Sequence, residues 1–518
     1  MKRLFKALGL ALAILGPAPA AKPPETLLPT RPGDPACWST FVACAEFIEQ
    51  WTGPRMPDWV VHSSPLSYGS RKPLYDDLGR PLLDDGGRQR CQPTHQSGRV
   101  FFPPAWRMRG GRRMPIVIYS HGTSLLKDGV PSQFGGHEWV FGAAAAAYYG
   151  FAVAMPDQPG MGGDGTSFHP YCHGRSLAYA IVDAIPAIRD RFAEDPYVAA
   201  SAYQWDGRVF LLGYSEGGYA SLAAAREMET HREAYGGDAG FQLAGSACMA
   251  GPFDISGTTR RQILARNRPF NHPFFIPYVL LGYHAIYGRI LDPLETLCKR
   301  LLDSREDGNI LQWSNGFTDG MEADCRIAAR MGRAPGGVVL RDLLNPDWVA
   351  RELDDPAFAS GPLKGILEEN DVAVGWTPTR PILFCQSPDD RDVPVENTKR
   401  AMGALGAAIR GAGGEPGALL TFRSLGAPGE GISHLGGVLL AIPAAFDWIY
   451  RAPSEQPSAV SPTVLNIPGQ SAVVAGDRSP HAPTTQRQAQ PVRPDRPGGD
   501  AVPAPAHPGD GLPGPSNG

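Results

Sequence analysis

The pentapeptide Gly213-Tyr214-Ser215-Glu216-Gly217, with Gly218 after it, constrains this chain more than any other feature. It stands directly behind the apolar run Val209-Phe210-Leu211-Leu212 and directly ahead of an Ala-rich helical stretch. A strand, a sharp turn and a helix in that order are the setting in which G-x-S-x-G has meaning. Small residues on either side let the turn hold the serine in a strained backbone conformation, with its hydroxyl exposed above a sheet. Ser215 is therefore a nucleophile candidate, and the rest of the chain is expected to supply the sheet.

Five further apolar runs of strand length do so: Ile116 to Tyr119, Phe151 to Met155, Leu243 to Cys248, Ile382 to Cys385 and Leu419 to Phe422. Their apolarity is continuous rather than alternating, which predicts strands covered on both faces, as in a parallel sheet. Helical patterns fall between them, notably Gly218 to Tyr235 and Gly436 to Tyr450. The alternation predicts an α/β class with a doubly wound, mostly parallel sheet. It breaks once, over residues 253–378, where helical patterning and many aromatics but no convincing strand predict an inserted helical cap. The core is accordingly assigned to residues 99–252 and 379–451. Residues 21–98, with Cys37, Cys44 and Cys91, are expected to form a separate N-terminal extension.

Both ends of the chain differ in character from this core. Lys2, Arg3 and Lys6, the apolar run Ala7 to Gly16 and the small-residue site Ala18-Pro19-Ala20 read as a cleavable secretory signal over residues 1–20. The run is too short for a membrane span, and no other apolar segment is long enough, so no transmembrane helix is expected in the mature chain. Residues 452–518 contain 14 of the 52 prolines and no Phe, Trp, Tyr, Cys or Met. Such a tail has too little apolar surface to offset its ordering entropy and is expected to be disordered. The export signal predicts a secreted or periplasmic protein. With 48 basic and 52 acidic residues the chain shows no excess of positive charge, so a nucleic-acid partner is not expected.

A serine hydroxyl needs an imidazole to take its proton and a carboxylate to orient that imidazole. Where the elbow occurs the chain order is Ser, acid, His. Only His434, His481 and His507 follow the last plausible acid loop, and the final two lie in the tail, which leaves His434. The loop Ser387-Pro388-Asp389-Asp390-Arg391-Asp392-Val393-Pro394 offers three carboxylates. The D-x-x-V-P spacing selects Asp390, with Asp389 and Asp392 as the alternatives, expected otherwise to be solvated loop charges. A tetrahedral intermediate needs two backbone donors. One is expected from the amide of Glu216, and the other from Thr123 in the loop His121-Gly122-Thr123.

With these positions set, the chain resembles bacterial members of the secretory lipase family of α/β-hydrolases. The resemblance is carried by SHGTSLLKDGVPS at 120–132, PDQPGMGGDGTSFHPY at 156–171, GYSEGGYASLAAAREM at 213–228, AGPFDISGT at 250–258, FFIPYVLLGY at 274–283, LLNPDWV at 343–349, WTPTRPILFCQSPDDRDVPVENT at 376–398 and SHLGG at 433–437. It implies an α/β-hydrolase fold with a helical lid, carboxylic ester hydrolysis, and Ser215, Asp390 and His434 as the triad. It also implies a structural loop over 157–171. The chain departs from the family pattern at Gln158-Pro159-Gly160-Met161-Gly162 and at Glu216, where Gln is more usual. A carboxylate at that position bears on the electrostatics beside the nucleophile.

Other signals carry less. Gly160-Met161-Gly162-Gly163-Asp164-Gly165 satisfies G-x-G-x-x-G, but no helix pattern opens behind it, so a dinucleotide site is not expected. His169, Cys172 and His173 lack a second ligand cluster, so no metal is expected, and no cofactor. In the cap, Phe274, Phe275 and Tyr278 are candidates for an acyl-binding wall, against the plainer reading that they pack the insertion. Cys298 and Cys325 are expected to pair, and Cys248 and Cys385 to be buried thiols or a mutual bridge. Cys37 and Cys44, seven apart in a helical pattern, lie roughly 10 Å apart and beyond each other's reach. The expected function is a secreted serine hydrolase of lipid or small-molecule esters. The alternatives are a peptidase or acyltransferase on the same fold, or an inactive binding protein.

Overall fold

All six apolar runs are strands of one sheet. In this computed structural model, which describes residues 45, 48, 61–104, 113–164, 167–201, 203–235, 241–303, 309–313 and 320–452, ten strands are present among the described residues. They are β1 (His62–Pro73), β2 (Cys91–Phe102), β3 (Arg113–Ser120), β4 (Ala152–Pro156), β5 (Gln204–Tyr214), β6 (Gln242–Met249), β7 (Pro269–Phe270), β8 (Val338–Val339), β9 (Ile382–Gln386) and β10 (Leu420–Ser424). Eight form a sheet in the order β1-β2-β4-β3-β5-β6-β9-β10. From β4 to β10 every pairing is parallel, while β1–β2 and β2–β4 are antiparallel. This is the α/β-hydrolase fold. The signal segment, Cys37, Cys44 and the tail beyond residue 452 lie outside the described residues.

Alternation along β5 shows how the sheet is buried. Phe210, Leu212 and Tyr214 enter a core with helices Trp139–Tyr149 and His434–Arg451, whereas Val209 and Leu211 enter a core on the opposite face. That second core holds helices Gly174–Val182 and Glu216–Thr230 and continues into the insertion. Two apolar faces for every central strand account for the unbroken hydrophobic runs.

The reading of residues 21–98 as a separate extension needs correction, because β1 and most of β2 are the edge of the main sheet. Inward positions of β1 are Ser64, Leu66, Tyr68 and Ser70, and Gln96 is buried on β2. Hydroxyls and an amide stand where apolar residues would announce a strand. Tertiary partners meet them: Tyr68 donates to the Ala180 carbonyl at 2.7 Å, Ser70 to Asp183 at 3.0 Å, and the Gln96 Nε2 to Asp164 at 3.3 Å. The expectation of a strandless cap is also corrected, since β7 and β8 pair there over two residues each. The rest of the insertion consists of helices, among them Phe275–Tyr287, Gly320–Arg330 and Pro362–Glu369. Cys298 and Cys325 are both free thiols, with Cys298 Sγ 4.0 Å from Met331 Sδ, which overturns the expected disulfide. Cys248 and Cys385 are buried free thiols rather than a bridge.

Candidate active site

Strand β5 ends at Tyr214, and the chain turns through Ser215 at φ 59° and ψ −125° into helix Glu216–Thr230. A non-glycine residue there is strained. The strain is held in place because the Ser215 amide donates to the Met249 carbonyl at 2.9 Å while its own carbonyl accepts from Tyr219 at 3.0 Å. Close packing explains the glycines. A Cβ on Gly213 would strike the Gly217 backbone, and one on Gly217 the Ser120 carbonyl.

His434 opens helix His434–Arg451 behind Ser433, whose hydroxyl accepts the Gly436 amide as an N-cap. Its Nε2 lies 2.8 Å from Ser215 Oγ and its Nδ1 2.7 Å from Asp390 Oδ2. Asp390 is 4% exposed and fully engaged. Oδ1 accepts the amides of Asp392 and Val393 at 3.0 and 2.9 Å, and Oδ2 accepts Gln386 Nε2 at 2.9 Å besides the imidazole. Gln386 is itself fixed, donating to the Val393 carbonyl and accepting from Thr398. Tyr214 donates to the His434 carbonyl at 2.7 Å, tying the histidine to the strand that carries Ser215.

The two neighbouring carboxylates are not the loose charges expected of them. Asp389 accepts the amides of Gly429 and Gly431, which fixes the loop leading to His434 and holds its carboxyl below the ordinary range. Asp392 is buried, and burial pushes its carboxyl up. It meets the cap instead, through Asn271 Nδ2 at 3.4 Å and His272 Nε2 at 3.8 Å. Hydrogen bonding to Asp324 at 2.9 Å raises the His272 pKa, while burial pushes the Asp324 carboxyl up.

Of the two predicted amide donors, Glu216 directly follows the serine, and the loop that carries Thr123 passes beside the elbow, where a Cβ on Gly122 would lie 3.5 Å from the Tyr214 carbonyl. Glu216 is the first residue of its helix, where the amide has no intrahelical acceptor. Thr123 follows Gly122, whose amide donates to Glu138 Oε1 at 2.9 Å, while Tyr119 donates to Glu138 Oε2 at 2.7 Å. A carboxyl from the next helix thus shapes the loop, a role no local spacing signals. The Glu216 side chain points inward, is fully buried, and lies 2.7 Å from His169 Nε2.

Ser215 opens onto a cavity with about 1030 Å³ of empty space, part of it continuous with solvent. Its walls are almost wholly apolar and come from the cap: Phe275, Val279, Leu280, Leu344, Trp348 and Leu367 are among them. Of the three predicted wall residues only Phe275 lines it. Phe274 is buried against Phe275, with ring centroids 4.4 Å apart, and Tyr278 stacks on Tyr171 and donates to the Ser124 carbonyl at 2.8 Å. Phe270 and Tyr283 line the cavity instead.

The secretory lipase family model matches residues 141–262, a segment that includes the serine elbow and His169. Comparison with curated proteins finds no match. Among solved structures, the rice cell wall degrading esterase LipA of Xanthomonas oryzae superposes with a TM-score of 0.56 at 19% identity, over 79% of this chain and 93% of that one. A candidate hydrolase of Legionella pneumophila gives 0.55 at 16% identity, over 81% and 96%. At such identities the likeness speaks for the fold, and the matched segment speaks for the family. Residues 141–262 thus resemble the secretory lipase family, within a chain that has the α/β-hydrolase fold.

Proposed function

We propose that this chain cleaves carboxylic esters with Ser215 as nucleophile, His434 as general base and acid, and Asp390 as the group that orients the imidazole. The observation that carries this reading is the chain of contacts Ser215 Oγ, His434 Nε2, His434 Nδ1 and Asp390 Oδ2, at 2.8 and 2.7 Å, at the mouth of an apolar cavity. His434 Nε2 takes the proton as Oγ attacks the ester carbon, and Asp390 stabilises the imidazolium that forms. Negative charge on the tetrahedral oxygen is met by the amides of Glu216 and Thr123. His434 then returns the proton to the departing alcohol. Water, activated by the same imidazole, releases the acid from the acyl-enzyme.

The cavity supports an acyl chain as the part of the substrate that the cap holds. Each CH₂ removed from water there is worth about 0.8 kcal/mol, so chain length is read by contact with aliphatic walls rather than by hydrogen bonds. Lipid or other small-molecule esters fit this description. No helix among the described residues is long and apolar enough to cross a membrane. The leader-like first twenty residues and the secretory family support export to the periplasm or beyond.

The test is a panel of 4-nitrophenyl esters from acetate to decanoate, with the matching anilides, on purified wild type and Ser215→Ala. Ester turnover that rises with chain length and vanishes in the variant is the expected result. Turnover that survives Ser215→Ala, or activity confined to the anilides, overturns the proposal.

A further inference from the structure

A carboxylate immediately after a serine nucleophile is an awkward neighbour. It stands on the residue whose amide meets the developing oxyanion, and a negative charge there opposes the charge that forms in the transition state. Glu216 is fully buried, so water does not screen it. Its Oε1 lies 2.7 Å from His169 Nε2 and accepts the Cys172 amide at 3.4 Å. On the other side of the imidazole, His169 Nδ1 lies 2.7 Å from the carbonyl of Pro159.

Those contacts fix the proton count. A carbonyl oxygen only accepts, so Nδ1 carries a hydrogen and donates it to Pro159. An imidazole with that tautomer and no further proton would turn the Nε2 lone pair toward a carboxylate oxygen at 2.7 Å, which is repulsive. One more proton therefore lies between Nε2 and Oε1. The pair is either imidazolium with carboxylate or imidazole with carboxylic acid, and in both forms its net charge is zero.

We propose that His169 is a positioning residue that keeps its pair with Glu216 at zero net charge, so that the Glu216 amide faces the oxyanion without an uncompensated negative charge behind it. This rests on the ester hydrolase reading above. Of the groups facing the pair, Tyr171, Cys172 and Tyr278 are all pushed up by burial and stay uncharged. Glu138 is buried behind the other donor loop, which pushes its carboxyl up, and His121 beside it donates from Nδ1 to the Gly122 carbonyl at 2.8 Å. The same contact also places the segment after His169. Tyr171 stands at the cavity wall with its hydroxyl 3.1 Å from Thr123 Oγ1, on the second donor loop.

The experiment measures kcat/KM for 4-nitrophenyl butyrate from pH 5.5 to 9, with melting temperature, for wild type, His169→Ala and the double variant His169→Ala/Glu216→Gln. Loss of His169 should cost roughly 30-fold at pH 8 and less toward pH 5.5, because without the imidazole the carboxyl can lose its charge only by binding a proton from solution, which rising pH opposes. Adding Glu216→Gln should restore at least about fivefold at pH 8 and flatten the pH dependence of the deficit, because a carboxamide carries no charge. A double variant no faster than His169→Ala, or a deficit equal at every pH, overturns the proposal and leaves a merely structural pair. If His169→Ala does not fold, the same comparison is made with His169→Gln, which keeps a donor but supplies no proton. Wild type inert toward the ester would instead overturn the hydrolase reading, a separate outcome from a failed rescue.

Discussion

The sheet side of the active site and the cap side are built on opposite principles. On the sheet side, Ser215, Asp390 and His434 sit at the ends of β5, β9 and the loop after β10, and each is held by several hydrogen bonds to backbone or to a buried partner. On the cap side, Phe275, Val279, Leu344 and Leu367 present apolar surface from short helices and turns, with little polar contact to fix any one of them. Chemistry needs groups placed to a fraction of an ångström, which strand ends provide. Accommodating an alkyl chain needs volume and dryness, which many side chains can supply in many combinations. The two sides should therefore respond differently to substitution.

The largest break is expected at Ser215→Ala. It removes the nucleophile and almost no packing, so kcat/KM should fall about 10⁴-fold or more with melting temperature unchanged. Next is the acid loop, where three carboxylates lie within four residues. Asp390→Asn should cost about 10³-fold, because an amide against His434 Nδ1 favours the wrong tautomer. Asp389→Asn and Asp392→Asn should each cost less than about tenfold, since these groups hold a loop and the cap rather than the imidazole. A loss at Asp392 equal to that at Asp390 would move the boundary between the two sides.

On the cap side the effects should be smaller and graded. Phe275→Ala should weaken decanoate turnover by about tenfold and acetate turnover by less than about twofold, since only a long chain reaches that wall. Phe274→Ala, one position away but outside the cavity, should lower melting temperature and affect every chain length alike. Uniform losses at both positions would return the whole helix to packing.

A last effect, on stability rather than turnover, concerns the junction between the regions. His173 caps helix Gly174–Val182 by accepting the Ser176 amide at Nδ1, and its ring packs against Tyr75 and the cap residue Tyr287. Burial lowers its pKa to about 3. A folded pKa below the unfolded value of about 6.5 means that the unfolded chain binds the extra proton first. The stability from this group is complete above about pH 6.5 and is lost as pH falls toward 3, by at most about 1.4 kcal/mol per unit. His173→Asn, which retains a capping oxygen, should flatten that part of the acid dependence of melting temperature. An unchanged acid slope in the variant would show that the ring titrates normally.

How much of this was legible in the sequence follows the same division. Six strands and the elbow are visible because strands covered on both faces must be apolar throughout. β1 and β2 are hidden because Ser64, Ser70 and Gln96 take inward positions and find partners far along the chain. Ser215, Asp390 and His434 are reachable by order and spacing, since the fold allows few loops to carry them. Gln386, Glu138 and His169 are not, because their roles exist only once distant segments meet. In the cap, the aromatic pattern finds the right helix but only one of three wall residues, Phe275. Positions 275 and 279 share the cavity side of helix Phe275–Tyr287, and 274 and 278 lie about 100° around it. Periodicity gives spacing but not the rotation of the helix about its axis.

The proposed chemistry stands or falls with Ser215 as an activated nucleophile. Reaction of the folded chain with a fluorophosphonate, followed by peptide mapping, tests it without any choice of ester. A single phosphonylated residue, Ser215, is expected, with labelling abolished in Ser215→Ala and slowed strongly in Asp390→Asn. Folded wild-type chain that takes up no label, or takes it up at another residue, would contradict it.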